Sequence, residues 1–297
     1  MKPNKRPDCF AEGQIKRRWY PPFRLRANAA GTPHKAAMLL LSALFFISAC
    51  SVVPITGRRQ LTLIPESTMN QMAVSQYQSF LSSNKVVASS GNKNAAMVER
   101  VGQRIAEGVT TYLTNHGMAD RVADYKWQFN LVNSNEVNAW CMPGGKVVVY
   151  TGLLPVTQNE TALACVLGHE IAHAVAQHGN ARMSKALLAQ GIEIAGATAL
   201  SKNPTSRNIF LQAFGIGGSL GMQAFSRRDE LEADQLGLIF MAIAGYDPRQ
   251  AVPFWQRMAN MSNSNVPVLL SDHPSDATRI RQIKRLLPEA LKYYRPH

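Results

Sequence analysis

The chain has 297 residues, of which 46% are hydrophobic and 17% charged, a composition typical of a folded protein and not of a disordered one. Its formal net charge is +13. Residues 1–50 contain nine Lys/Arg and two Asp/Glu (+7), and the remaining residues contain 23 and 17 (+6). No basic stripe interleaved with aromatic residues follows the N-terminal stretch, so we expect no nucleic-acid partner.

Residues 1–50 are predicted to be an export signal. A basic stretch precedes an apolar run from Ala36 to Ala49, about 14 residues, which suits the core of a signal peptide better than a membrane span. The run ends in Ile-Ser-Ala-Cys, which resembles a lipoprotein signal box, so Cys50 would carry the lipid. A plain signal peptide and a signal anchor are the alternatives. We expect a lipid-anchored protein of the cell envelope, on the periplasmic face of the outer membrane.

The rest of the chain is predicted to be a tether, residues 51–66, that ends by docking on one catalytic domain, residues 67–297. Periodicity and breaker residues predict its elements. The predicted helices cover 67–83, 94–114, 229–245, 248–258 and 276–287, and the predicted strands cover 125–133, 137–141 and 146–150. Residues 181–225 are predicted to be two helices with a break at 202–204, packed as a hairpin near the site, with membrane contact as the alternative.

A metal-binding motif lies in the middle of the chain, at His169-Glu170-Ile171-Ala172-His173. Two imidazoles four residues apart lie on one helical face and can bind one metal ion, and Glu170 between them can reach a water there. This pattern is typical of zinc hydrolases, in which a carboxylate acts as general base. The helix is predicted to start at a capping box of Thr157 and Glu160 and to stop at Gly179.

A catalytic zinc usually takes a third protein ligand. His178 lies about 140° around the helix from His173, so we interpret it as a surface residue. The candidate third ligand is Glu230, with Asp234 on the same helical face to orient a ligating imidazole. A solvated acidic helix start is the alternative interpretation of this segment. Should the ligand lie elsewhere, Glu232 and Cys165 are next in line.

These motifs together resemble a zinc metallopeptidase family that includes HtpX, the CAAX prenyl endopeptidase and the mitochondrial OMA-type protease. The resemblance is strongest to its bacterial lipoprotein branch. The matching segments are His-Glu-x-x-His, then Ser226-Arg-x-x-Glu230-x-Glu-Ala-Asp234, Asn138-Ala139 with Pro143-Gly144-Gly145, and Asp272-His273-Pro274-Ser275 with Arg279.

The resemblance implies an α+β fold, mainly α-helical, with a small antiparallel sheet and a gluzincin-type catalytic domain. It implies one Zn²⁺ held by His169, His173 and Glu230, and polypeptide substrates. His273 would stabilise the oxyanion and Arg279 would hold the segment that carries His273. Asn138, Ala139, Pro143, Gly144 and Gly145 would form an edge strand that binds extended substrate, although a plain hairpin turn is an equal interpretation from spacing alone.

The function expected from these features is a zinc endopeptidase acting on misfolded or misassembled envelope proteins, with the outer-membrane assembly machinery as an expected partner. A catalytically silent chaperone and a metal-binding module of the same fold are alternatives. Glu170 argues against both, because a pure metal binder needs ligands but no base. Cys141 and Cys165 could pair in an oxidising compartment, although buried thiols are the favoured interpretation.

Overall fold

A computed structural model describes residues 50–191, 200, 202–216, 225–261, 267–273 and 277–296, apart from the side chain of Asp272. Its strands are β1 (Cys50–Val52), β2 (Arg59–Leu61), β3 (Val86–Val87), β4 (Gln128–Val132), β5 (Ala139–Met142) and β6 (Lys146–Tyr150). Its longer helices are α1 (Glu66–Ser83), α2 (Lys93–Asn115), α4 (Glu160–Val175), α5 (His178–Ala189), α6 (Pro204–Ala213), α7 (Arg227–Ile243), α8 (Ala251–Met261) and α10 (Ala277–Ala290). Two short helices are α3 (Leu154–Thr157) and α9 (Val268–Asp272).

The prediction of a mainly helical α+β fold with a small sheet is confirmed. Four strands form one sheet in the order β3-β4-β6-β5. Two of its pairs are antiparallel, and β4 pairs with β6 in parallel, with Gln128 opposite Lys146. The strand predicted at 125–133 is shorter in the structure, because β4 begins at Gln128 and residues 125–127 precede it without strand pairing.

The sheet is covered on both faces, because successive residues of a strand point to opposite sides. In β6, Val147 and Val149 belong to one hydrophobic core, and Val148 and Tyr150 belong to the other. Helices α2, α4, α7, α8 and α10 supply the first core, and α1, α5 and α6 supply the second. A buried strand with both faces covered explains why the sequence Lys-Val-Val-Val-Tyr shows no alternation of polar and apolar residues.

Helices α4 and α7 cross at two glycines, which lets their backbones approach closely. A Cβ atom on Gly168 would lie 2.7 Å from the carbonyl oxygen of Gly237. A Cβ atom on Gly237 would lie 2.8 Å from the backbone nitrogen of His169. Because real Cβ atoms are not found this close to backbone, the crossing requires glycine at both positions. It brings the helix with the two histidines next to the helix with Glu230.

The N-terminal hairpin of β1 and β2, residues 50–61, docks on the domain. Cys50 pairs with Leu61 and Val52 with Arg59. Val53 is buried in the first core, and the side chain of Gln60 donates a hydrogen bond to the backbone oxygen of Ala176. The segment predicted as a tether therefore contacts the domain along most of its length and not only at its end.

The boundaries around the metal-motif helix differ from the prediction. Asn159 caps α4, accepting a hydrogen bond from the backbone of Ala162 at 2.9 Å, and Thr157 instead ends the short helix α3. The reason is Gln158, whose left-handed backbone (φ 66°) separates the two helices. Likewise α4 ends at Val175 and not at Gly179, because Gln177 is left-handed (φ 58°) and a new helix begins after it.

The later boundaries follow the prediction more closely. Asn203 caps α6, which confirms the break at 202–204, and Ser226 caps α7. The remainder of the predicted hairpin, at 192–199, 201 and 217–224, lies outside the described residues, as do Pro274, Ser275 and Asp276. Among the described helices, none has both the length and the apolar content needed to cross a membrane.

Candidate metal centre

Four buried side chains converge at the crossing of α4 and α7: His169, His173, Glu230 and His273. The Nε2 atoms of the first two histidines are 3.1 Å apart, and the Glu230 carboxylate lies 3.5 Å from Nε2 of His169 and 3.3 Å from Nε2 of His173. The Nδ1 atom of His273 lies 2.8 Å from Glu230 and 3.2 Å from His169. The structure therefore brings the three predicted ligands together.

This donor set fits a zinc ion. Ligand atoms of a tetrahedral zinc lie roughly 3.3–3.4 Å apart when the metal–ligand bonds are about 2.0–2.1 Å. The two histidine nitrogens are 3.1 Å apart, and they lie 3.5 and 3.3 Å from the Oε2 and Oε1 atoms of Glu230, which is close to that spacing. Two imidazoles and a carboxylate are also the ligand types of catalytic zinc in hydrolases. His273 supplies a fourth possible donor to the same cluster.

The carboxylate of Asp234 and the guanidinium of Arg279 contact the His169 ring at Nδ1. Asp234 Oδ1 lies 3.0 Å from His169 Nδ1, as expected for a residue that orients a ligating imidazole. Arg279 donates to both carboxylate oxygens of Asp234, at 2.9 and 2.7 Å, and to the backbone oxygen of His273 at 3.2 Å. Its guanidinium stacks over Trp255, 3.5 Å from the ring centroid. Arg279 thus links the segment of His273 to the partner of His169.

Glu170 lies among these groups, 4% exposed. Its Oε1 atom is 3.6 Å from Nε2 of His273. Phe225 packs against the rings of His173 and His273, with centroid distances of 4.2 and 5.3 Å. Phe225 stands directly before the cap of α7 and has no motif around it, so the sequence does not predict its place at the site. These contacts place a carboxylate and an aromatic ring beside the donor set.

Burial and neighbouring charges set the ionisation of the centre. Burial acts to raise the pKa of Glu230, but His273 and Arg279 outweigh it and hold that pKa well below its usual range. Burial lowers the pKa of His173 well below its usual value. Burial and Arg279 act to lower the pKa of His169, but hydrogen bonds to Asp234 and Glu230 raise it to about 9. Glu230 is therefore charged and His173 neutral, as metal ligands require, whereas His169 has to lose its proton to bind a metal ion.

The prediction that His178 is a surface residue is wrong: it is 1% exposed. Its Nδ1 atom lies 3.0 Å from Nδ1 of His173, and its Nε2 atom lies 3.0 Å from Glu232. The physical reason is the left-handed Gln177, which ends α4 and turns the next helix inwards. The angle of 140° assumed one continuous helix. In the structure α4 ends at Val175, so His178 belongs to the next helix.

The predicted substrate strand lies where expected in the sheet. Strand β5 ends the order β3-β4-β6-β5, and Gly144 (φ 71°) and Gly145 (φ 75°) form the turn into β6. Asn138, Ala139 and the rest of β5 are nevertheless buried. A cavity of about 220 Å³ opens beside Glu230 and is also lined by Phe225, Leu231, Thr278, Arg279 and Gln282.

The three described cysteines are free thiols. Cys141 and Cys165 are buried and belong to the first core, whereas Cys50 is exposed at the start of β1. Burial raises the pKa of Cys165 to about 12, so this thiol is neutral and a poor metal ligand. The interpretation of buried thiols is confirmed for both residues.

The model of peptidase family M48 matches residues 92–287. The mitochondrial metalloendopeptidase OMA1 of Schizosaccharomyces pombe is 32% identical over 257 residues, 86% of this chain and 71% of that protein. The metalloendopeptidase OMA1 of Danio rerio is 30% identical over 300 residues, 98% of this chain and 59% of that protein. The beta-barrel assembly-enhancing protease of Yersinia pestis is 32% identical over 160 residues, 52% of this chain and 33% of that protein.

Proposed function

The chain belongs to peptidase family M48 and is a metalloendopeptidase by that membership, and on this premise we propose that it is a zinc-dependent endopeptidase of the cell envelope. The observation that carries the proposal is the buried set of His169, His173 and Glu230, whose donor atoms are spaced as zinc ligands. These residues would hold a zinc ion, which would supply a water with a pKa of about 7 and polarise a carbonyl group.

Glu170 is the proposed general base. It lies between the two ligating histidines in sequence and on the same helix, so it can take a proton from the attacking water without giving up a ligand. The same carboxyl group can then deliver the proton to the departing amine. A buried carboxylate is suited to this transfer, because few water molecules compete for its proton.

His273 is the proposed stabiliser of the negative charge that develops on the carbonyl oxygen. Its Nε2 atom faces Glu170 at 3.6 Å, and its Nδ1 atom faces Glu230 at 2.8 Å, so the ring lies between the base and a ligand. Arg279 fixes it through the backbone oxygen of His273. A positioned donor of this kind typically contributes about 10²–10³-fold to the rate.

Strand β5 is the proposed binding edge for an extended substrate. Within the described sheet it is the terminal strand, so one side of it has no neighbouring strand to take its backbone hydrogen bonds. Helix α4, which carries the two histidines, packs against the same strand. The cavity beside Glu230 and Phe225 is the proposed place for a substrate side chain, since it opens directly next to a ligand.

The proposed location is the periplasmic face of the outer membrane, with a lipid on Cys50. The signal-box sequence at 47–50 and the exposed position of Cys50 support this. The proposed substrates are misfolded or misassembled envelope proteins, and the outer-membrane assembly machinery is a proposed partner. A relative named for enhancing β-barrel assembly supports that choice.

Cleavage of casein and of unfolded outer-membrane proteins tests the enzymatic proposal. Wild type should cleave, a chelator should abolish cleavage, and added zinc should restore it. Glu170→Gln should keep its zinc and its thermal stability but lose about 10²–10⁴-fold in rate, which is about 3–5 kcal/mol of barrier. Glu160→Gln is the matched control, because Glu160 is an exposed carboxylate in the first turn of the same helix. Equal rates for Glu170→Gln and wild type would overturn the proposal.

A further inference from the structure

A second polar cluster lies behind the metal centre, on the side of the N-terminal hairpin. It contains His178, Asp229 and Glu232, three residues that could group around a metal ion. The positive charge beside these carboxylates comes from Arg58, which donates from Nη2 to Asp229 at 3.0 Å and from Nε to Glu232 at 2.7 Å. Thr56 of the same hairpin also donates to Glu232. One guanidinium thus pairs with both carboxylates of the cluster.

The direction of each hydrogen bond in this cluster follows from the metal site. His173 turns Nε2 towards His169 and Glu230, so it would ligate through Nε2 and carry its proton on Nδ1. That proton is donated to Nδ1 of His178, 3.0 Å away. His178 accepts there and must therefore carry its own proton on Nε2, where it donates to Glu232 at 3.0 Å. Glu232 accepts from every neighbour named, so no two donors face each other.

We propose that His178 is a positioning residue for the metal ligand His173, and that the N-terminal hairpin holds it in place through Arg58 and Glu232. The inference rests on the proposed zinc centre and adds to it a support for the second histidine. His169 has a comparable support in Asp234 and Arg279. A carboxylate paired with an arginine then supports each of the two imidazoles, directly for His169 and through His178 for His173.

The surroundings of His178 restrict its ring to this arrangement. Its side chain is fully buried, and its ring packs edge-on against that of His173, with centroids 4.9 Å apart. The turn between α4 and α5 is fixed by the hairpin, because Gln60 donates to the backbone oxygen of Ala176. The hairpin thus contacts both the turn that aims His178 and the carboxylate that orients it.

Two amide substitutions at one position test the positioning role. In His178→Asn the side-chain oxygen lies near the former Nδ1 position and can accept from His173, whereas in His178→Gln it lies near the former Nε2 position. Zinc affinity is measured by competition with a chromogenic chelator on the purified whole chain. We expect Asn to stay within about threefold of wild type and Gln to lose roughly 10–100-fold, the range typical for residues that orient a ligand. Equal affinities of the two variants would overturn the proposal.

The contribution of the hairpin is tested with two neighbouring arginines. Arg58→Gln removes the partner of Glu232, and Arg59→Gln changes an adjacent exposed residue of β2. We expect a several-fold weaker zinc affinity for the first variant and an unchanged affinity for the second. Identical affinities of Arg58→Gln and Arg59→Gln would overturn the hairpin's part in the arrangement.

These measurements separate this inference from the proposed function. Wild-type protein that binds no zinc and cleaves no peptide would refute the zinc endopeptidase itself. Wild type that binds zinc and cleaves, together with position-178 variants that all bind zinc equally well, would refute the role of His178 alone. A purely structural role would lower the melting temperature of metal-free and zinc-loaded protein alike and would leave the difference between Asn and Gln unexplained.

Discussion

Substitution of Gly237 by alanine should damage the metal centre without changing any ligand. An alanine Cβ atom at this position would lie 2.8 Å from the backbone nitrogen of His169 and 2.9 Å from its Cα atom. Ordinary contact begins at 3.4 Å, so α4 and α7 have to separate by 3.4 − 2.8 = 0.6 Å. Helix α7 carries Glu230, and α4 carries the two histidines, so this separation changes the distances within the donor set.

A helix separation of this size is large for the geometry of a metal site but costs the fold little free energy of unfolding. Metal–ligand distances tolerate deviations of about 0.2 Å, so a shift of this size exceeds the tolerance about threefold. Overpacking costs typically 1–3 kcal/mol, and the better helix propensity of alanine returns about 0.8–1.0 kcal/mol. We therefore expect a melting temperature only a few degrees lower, together with about 10–100-fold weaker zinc binding and peptide cleavage.

Zinc competition, casein cleavage and thermal melting of Gly237→Ala form the assay, with Gly108→Ala as the control. Gly108 is also a helical glycine facing α7, but its Cβ atom would meet the flexible Cγ2 atom of Ile243 at 3.1 Å and no backbone atom closer than 3.5 Å. The control should keep wild-type zinc affinity. The reasoning is refuted if Gly237→Ala also keeps wild-type zinc affinity and activity, because the helix crossing would then not determine the geometry of the donor set.

Four further changes test other parts of the structure. Glu230→Ala should lose zinc by metal analysis, and full occupancy would show that the third ligand lies elsewhere. His273→Ala should keep zinc and lose about 10²–10³-fold in kcat, whereas loss of zinc would make it a required ligand. Burial raises the pKa of Glu66 from 4.5 to about 7, so the stability that its protonated form contributes is complete below about pH 4.5 and is lost as the pH rises through 7. Glu66→Gln should therefore raise the melting temperature at pH 8 and change it little at pH 5. An equal shift of the melting temperature at both pH values would contradict this. Cys50→Ala should abolish incorporation of labelled palmitate, and unchanged labelling would place the lipid elsewhere.

Local spacing was enough to predict which side chains meet at the candidate metal centre. His169 and His173 are four residues apart on one helix, and so are Glu230 and Asp234, so each pair shares a helical face in any fold that contains the helix. Helix α7 starts at Arg227 behind its cap Ser226, two residues before the predicted start at 229.

What sequence could not supply are the contacts that depend on a single backbone angle or on distant parts of the chain. The left-handed Gln177 redirects His178, and a glutamine carries no sign of that conformation. Arg58 and Glu232 are 174 residues apart in sequence, and nothing in either segment indicates the other. The parallel pairing of β4 with β6 also depends on the whole domain, because the intervening β5 lies on the far side of β6.

The docked hairpin has a consequence for where the enzyme can work. A free linker of 16 residues would extend up to roughly 50–60 Å and let the catalytic domain sweep a wide volume above the membrane. In the structure Cys50 itself pairs with Leu61 in the hairpin. A lipid on Cys50 would therefore be joined to the catalytic domain with almost no free linker between them. The domain would then lie at the bilayer surface with a short working radius, and its choice of substrate would depend on which unfolded chains come within that layer as much as on their sequence.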